Sequence, residues 1–536
     1  MKVTDVIVQC LENEGAEYVF GIIGTETLDL AESLSKSTKI QYVNVRHEQG
    51  AAFMADVYGR IAKKAGVCLS TLGPGASNLL TGIASAQLDH SPIVALIGQA
   101  GLERQHKESH QYIDIVQLLK PVTKWCSQIH VSQTAPTMIR KAFRTAKMDK
   151  PGAAAVTLPE NLASQMIPNQ PLPVTPLPEI VPTTHSIITA QSLIEKHVKP
   201  FIIIGNGVIR EAAVQELQTF VETLKSPAIH SFMAKGVLPK EHPNNYYTFG
   251  FKENDLVLPS LEEADLLIVI GYDFVEKLPK DWNQKKLPVL HIDSLPAEIN
   301  EYYPVEAELV GNLKITLQML NNTVLPAKPW EPMGKLKEKI QKAYQIKPIS
   351  NKSLTVETML HCIEQHTSEN TIVISDVGAH KVSIAKTYQP KKPNGLIISN
   401  GLASMGIAVP GAVGAKLAAP NDTIICVTGD GGALMNFAEI ETAKRLGLSF
   451  IIILLNDSML QLEVQQMNQK FGQSYGADFK NPDFVKLAES FGIKGRRAST
   501  LADFDTFFKE ALNQSNEIFL IDAVLESGRS PLLQPE

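Results

Sequence analysis

Thr423-Ile-Ile-Cys-Val-Thr-Gly-Asp-Gly-Gly432, followed by Phe450-Ile-Ile-Ile-Leu-Leu-Asn-Asp457, decides how this chain folds. Each stretch opens with a short apolar, β-rich run, the pattern of a buried strand. The first run ends in the tight turn Gly429-Asp430-Gly431-Gly432. Between the two, Asn436 to Leu446 has helical spacing, with Phe437, Ile440, Ala443 and Leu446 on one side and Gly447 as a C-terminal stop. A strand–helix–strand unit of this length is a right-handed crossover between parallel strands. Asp430 and Asp457 therefore reach the same carboxyl edge of one sheet, where open α/β folds bind ligands.

Two facing carboxylates repel and call for a cation. Hard oxygen ligands in small number suit Mg²⁺, which completes its octahedron with water and phosphate oxygens. Gly431 and Gly432 let backbone N–H groups approach an anion near a helix N-terminus. The plainer alternative is a glycine turn plus a surface Asx turn, because short glycine motifs alone are weak.

The other 500-odd residues limit the choice further. At 536 residues the chain exceeds one core and suggests about three domains. A composition of 44% hydrophobic and 20% charged residues is that of a soluble globular protein. A net charge of −6 without a basic block argues against a nucleic-acid partner. The amino terminus lacks a basic region and cleavage site, and no apolar run is long enough to span a bilayer, so a cytoplasmic protein without a membrane partner is expected. Cys10, Cys68, Cys126, Cys362 and Cys426 form no CxxC pair and read as reduced core thiols.

Proline-rich passages at 165–183 and 323–350 divide the chain, the second around a Lys-rich segment expected to be helical. The blocks they separate alternate strand and helix signals. The expected fold class is α/β: three doubly wound domains with largely parallel sheets, at 1–170, 185–325 and 350–525. In the first block, Ile40–Val45 is a candidate strand. Arg46-His-Glu-Gln-Gly50 then leads into an Ala-rich helix running to about Lys63. Glu48 thus sits where a strand turns into a helix, most often a mere dipole partner. A second unit follows, with a strand at 67–71, the rigid turn Gly73-Pro74-Gly75, and Ala76-Ser77-Asn78 opening a helix.

The run Arg46-His-Glu-Gln-Gly-Ala-Ala-Phe-Met-Ala-Asp56, the turn Gly73-Pro-Gly-Ala-Ser-Asn78, and Gly429-Asp-Gly431 with Asn456-Asp457 occur in the order seen in thiamin-diphosphate-dependent enzymes. The chain resembles the acetolactate synthase branch of the pyruvate oxidase and decarboxylase superfamily, from end to end. His110-Gln111, Pro121–Lys124, Ile270–Asp273, His291–Ile299 and Asn456-Asp457-Ser458 are similar to the catabolic, FAD-independent synthases.

The resemblance implies a site built from two halves. The first block would bind the aminopyrimidine of thiamin diphosphate through Glu48, with Pro74 and Asn78 nearby. There Glu48 would sit in an apolar pocket, where its carboxyl can hold and return a proton. The last block would bind the diphosphate through His380, Gly429, Gly431 and Gly432. Asp430, Asp457 and the carbonyl of Met459 would hold Mg²⁺. In Gly401-Leu-Ala-Ser-Met405, Met405 resembles the bulky residue that bends the cofactor; it is equally readable as core. Because the halves lie far apart in sequence, the family joins them across subunits, which implies a homodimer or homotetramer. The central block is Rossmann-like, and FAD is not expected there.

The activity implied is condensation of two pyruvates, a small 2-oxo acid, to 2-acetolactate with release of CO₂. Glu463 departs from that pattern: synthases carry an aliphatic residue here, and decarboxylases a glutamate acting on the reacting carbon. A non-oxidative decarboxylase, or a carboligase with another acceptor, therefore stays open, as does a non-catalytic cofactor-binding relative. Glu463 is also readable as a solvent-facing helix residue. Thr25 lacks the charge that either branch places at its position. Gln111 is a plausible donor to a substrate carboxylate, or else a structural contact.

Overall fold

The computed structural model describes residues 1–251, 255–323, 325–332, 335–344, 354–514 and 516–525. Three parallel six-stranded sheets carry the chain. The first contains β1 (Tyr18–Gly21), β2 (Gln41–Asn44), β3 (Gly66–Ser70), β4 (Ile93–Gln99), β5 (Trp125–Gln128) and β6 (Ala153–Pro159), in the order β2-β1-β3-β4-β6-β5. The second contains β7 (Pro200–Ile204), β8 (Ala228–His230), β9 (Asn245–Thr248), β10 (Leu266–Ile270), β11 (Val289–Asp293) and β12 (Val305–Val310), in the order β12-β11-β10-β7-β8-β9. That is the doubly wound dinucleotide-domain order. The third contains β13 (Thr371–Ser375), β14 (Leu396–Ile398), β15 (Thr423–Gly429), β16 (Ile451–Asn456), β17 (Lys494–Ala498) and β18 (Phe519–Val524), in the order β14-β13-β15-β16-β18-β17. The first and third sheets thus share one topology. Central strands such as β4 and β10 are buried along their whole length, which is why they read as unbroken Ile/Val/Leu runs.

The first and third units share one core. The helix Glu48–Ala62 packs along the helix Ala408–Ala418, and Phe53, Met54 and Val57 meet Ile374, Val409 and Val413 in one apolar cluster. At its rim, nearly buried Arg60 bridges Asp56 and Asp89 at 2.7 Å each. The central unit docks on the first through Lys150, whose ammonium lies 2.9 Å from Asp273 and 3.3 Å from Asp293 at the carboxyl ends of β10 and β11.

The crossover between β15 and β16 differs from the sequence expectation in one respect. In place of a single helix over Asn436–Leu446, the chain turns helical at Asp430 itself. It then breaks after Asn436 and resumes over Glu439–Arg445. Packing overrides the poor helix propensity of two glycines here: a Cβ on Gly432 would lie 3.0 Å from the Asp376 carboxyl. The Lys-rich segment forms the helix Leu336–Tyr344 as expected. Pro348, the start of the third block at 350–353, and the tail after Leu525, read from sequence as a lid or a disordered end, lie outside the described residues.

Candidate active site

A cleft with about 940 Å³ of empty space opens at the carboxyl edge of the third sheet. Parallel β15 and β16 deliver Asp430 and Asp457 to it side by side. Their surroundings differ. Asp430 is buried, and its carboxylate accepts N–H bonds from Gly431 (2.8 Å), Asp457 (3.1 Å), Ser458 (2.7 Å) and the Asn481 amide (2.7 Å). Asp457 accepts one long bond, from Met459 N–H at 3.3 Å. Burial, then the Asp430 charge, push its carboxyl up to about 7. A cation between the two relieves that repulsion, so the donor set fits a divalent metal with oxygen ligands.

The same cleft gathers His380, Met405, Gly429, Gly431, Gly432, Met459 and Glu463. His380 opens the helix Ala379–Thr387. Burial pushes its imidazole down to about 4, so the ring is neutral, and its Nε2 is buried without a hydrogen-bond partner. A buried ring nitrogen without a partner, beside a glycine cradle at two helix starts, fits an anionic group such as a diphosphate when that nitrogen carries the ring's proton. A Cβ on Gly431 would lie 3.3 Å from the Met405 methyl, which places that side chain over the cradle. Asp376, fully buried, ties the loop in place by accepting from Gly406 N–H (2.8 Å), Ala408 N–H (3.3 Å) and the Thr428 hydroxyl (3.1 Å). Glu463 stands exposed in the first turn of the helix Gln461–Phe471, at the rim of the cleft.

The remaining candidates lie elsewhere. Among the described residues, everything that lines the cleft comes from 354–525. Glu48 is buried at the start of its helix, with its Oε2 accepting from the Asn78 amide at 2.9 Å. Pro74 is the first residue of the helix Pro74–Leu88, capped by Gly73 at φ +51°. A Cβ on Gly73 would meet the Gln111 carbonyl at 2.5 Å, so this turn brings Gln111, itself exposed, against the Glu48 side of the first unit. Gly401 is separate again: its N–H donates to Asp89 at 2.6 Å, inside the junction between the first and third units.

Family models for thiamine pyrophosphate enzymes match this chain in three segments: the N-terminal TPP binding domain over 1–118, the central domain over 187–320 and the C-terminal TPP binding domain over 376–523. A probable acetolactate synthase large subunit from Methanocaldococcus jannaschii is 32% identical, across 100% of this chain and 94% of its own length. The chain belongs to the acetolactate synthase family of thiamine pyrophosphate enzymes. An acetolactate synthase of Bacillus subtilis is 30% identical over 96% of this chain and 92% of its own, and the isozyme 3 large subunit of Escherichia coli 29% over 98% and 95%. In this thiamine pyrophosphate enzyme Asp430, Asp457 and His380 of the cleft fall within the C-terminal match, and Glu48 with Asn78 within the N-terminal one. No helix among the described residues is long and apolar enough to cross a membrane.

Three positions in this acetolactate synthase family member escaped the sequence reading. Asn481 donates to Asp430 and to the Asn456 carbonyl oxygen of its amide (2.9 Å), locking the two aspartate loops together. Fully buried Glu439 reaches from the third unit to the first, where one oxygen accepts from both Arg46 and His47 N–H at 3.0 Å, just before Glu48. Arg104 holds the His110 carbonyl (3.1 Å) while paired with Glu26 and Glu160, so the charge absent at Thr25 stands one residue on. Only Glu439 left a trace in the sequence, as a charge beside the apolar stripe of its helix. Its partners, some 390 residues away, did not.

Proposed function

We propose that this chain condenses two pyruvates into 2-acetolactate and CO₂, using thiamin diphosphate and Mg²⁺. The observation that carries the reading is the cleft in which Asp430, Asp457 and His380, its Nε2 without a partner, surround the Gly429–Gly432 cradle. Thiamin diphosphate supplies the electron sink for decarboxylation and carbon–carbon bond formation. Asp430, Asp457 and the Met459 carbonyl would hold Mg²⁺, while His380 and the N–H groups of Gly429 and Gly432 would receive the diphosphate, with Gly431, its N–H held by Asp430, leaving room for the anion. Met405 would support the ring system from below. Glu48, held by Asn78 beside Pro74, would hold and return a proton at the pyrimidine. Gln111 would donate to a substrate carboxylate. The N–H of Gly401 is taken by Asp89, which leaves its carbonyl for the cofactor.

Glu48 does not line the cleft of its own chain, which supports a second copy completing each site, in a homodimer or homotetramer. Leu402, Leu434 and Met435, close in sequence to Met405 and Gly432, are exposed apolar side chains that such a partner would cover. The domain limits 1–170, 185–325 and 350–525, and a cytoplasmic location, belong to the same reading. So does a site without FAD, as in the catabolic branch.

A second reading, release of acetaldehyde by a decarboxylase, is favoured by Glu463 at the cleft rim. Product analysis decides between them. Purified protein given pyruvate, thiamin diphosphate and Mg²⁺ is expected to form acetolactate. Acetaldehyde as main product, suppressed in Glu463→Val, would transfer the assignment.

A further inference from the structure

The helix Val356–His366 touches the cleft only with its first turn. Farther along, about 8 and 14 Å from Glu357 by helical rise, Cys362 and His366 stand four residues apart on one face. Both point at a single oxygen of Asp505, on the helix Leu501–Asn513. Cys362 Sγ lies 3.4 Å and His366 Nε2 2.8 Å from Asp505 Oδ1, and the three ligand atoms all fall within 4.8 Å of one another. The edges of a tetrahedron of sulfur, nitrogen and oxygen around Zn²⁺ are about 3.3–3.6 Å. Closing this trio around an ion therefore takes shifts of about 0.5–1 Å.

We propose that Cys362, His366 and Asp505 bind one transition-metal ion of the Zn²⁺ class, with a fourth position open to water. A thiolate, an imidazole and a single carboxylate oxygen are a borderline-soft set, which selects Zn²⁺ or Co²⁺ over Mg²⁺. Cys362 is buried while His366 and Asp505 are partly exposed, so an ion enters from solvent and ends on the sulfur. A nucleophilic or redox role fits the trio less well. Burial and the adjacent carboxylate push the Cys362 thiol up to about 12, whereas a bound metal displaces that proton directly. The Lys509 ammonium, 2.7 Å from Asp505 Oδ2, occupies the other carboxylate oxygen; it is half exposed and free to swing into solvent. Metal binding at this site releases the Cys362 proton and clamps the two helices together.

The test uses the full chain saturated with thiamin diphosphate and Mg²⁺, titrated with Co²⁺. One equivalent per chain is expected, with the absorption band of a thiolate–cobalt bond, and Zn²⁺ is expected to displace it and raise the thermal midpoint. Cys362→Ser is expected to abolish the band, and His366→Gln and Asp505→Asn each to weaken binding about tenfold or more. Absence of the band overturns the proposal, as does its survival in Cys362→Ser or unchanged affinity in His366→Gln. The variant at partly exposed His366 keeps the test decisive if Cys362→Ser folds poorly.

Discussion

Glu439 shows how much one side chain can fix. Its buried carboxylate accepts two backbone N–H groups, from Arg46 and His47, and the Thr442 hydroxyl at 2.7 Å. Burial raises its carboxyl above the usual range, so a neutral isostere is tolerable in this setting. Gly50, whose Cβ would sit 2.6 Å from Glu439 Oε1, makes room for the approach. Removing the acceptor strands two part-buried donors, at about 1–3 kcal/mol each. Glu439→Ala is therefore expected to lose about 2–5 kcal/mol of stability. Glu439→Gln, which keeps one carbonyl oxygen in place, is expected to lose under about 1.5 kcal/mol. Thermal and denaturant unfolding of both variants check this, and equal losses would show that the N–H bonds are not what Glu439 supplies. Activity is expected to follow the same order, because the two N–H groups belong to the residues that lead into Glu48.

At the scale of elements, β15 and β16 were legible because central parallel strands are apolar on both faces and end in polar residues at the carboxyl edge. The turn before the helix Pro74–Leu88 was legible from its residue types, since Pro74 has the fixed φ of a first helical residue and Gly73 tolerates the φ of +51° found there. Less was legible where a local preference yields to packing. The helix start at Asp430 goes with the close approach of Gly432 to Asp376, just past the end of β13, which no local window contains. Asn481 and Glu439 escaped because their partners are remote in sequence, and burial of a polar group is decided by those partners. The Gly73 cap carries its own prediction. Its φ of +51° and its 2.5 Å approach to the Gln111 carbonyl leave no space for a methyl group. Gly73→Ala is expected to cost about 1–3 kcal/mol and to displace the 110–111 loop. The KM for pyruvate is then expected to rise more than kcat falls; an unchanged KM would detach this loop from substrate binding.

The whole molecule carries two linked consequences of burial. His230, fully buried at the end of β8, donates Nδ1–H to the Ser231 carbonyl at 3.1 Å, and its Nε2 has no partner. Burial and the nearby Lys235 ammonium push it down to about 3. The unfolded chain takes up a proton below about 6.5 while the folded one does not, so stability falls as pH drops from about 6.5 toward 3. The slope is about 1.4 kcal/mol per pH unit for this group. His230→Gln is expected to flatten the thermal midpoint against pH over that window, and an unaltered slope would place the acid sensitivity elsewhere. The division of the site is the larger matter. Within one chain Glu48 and the Asp430 cleft are separate, yet the proposed chemistry needs both on one cofactor. Glu48→Gln and Asp430→Asn chains are each expected to be inactive. When the two are unfolded, mixed in equal amounts and refolded together, half of the dimers pair one chain of each kind. Such a dimer has one doubly altered site and one intact site, which gives about a quarter of the native activity. If both halves of each site came from the same chain, no pairing could assemble an intact one, and the mixture would stay as inactive as its parts.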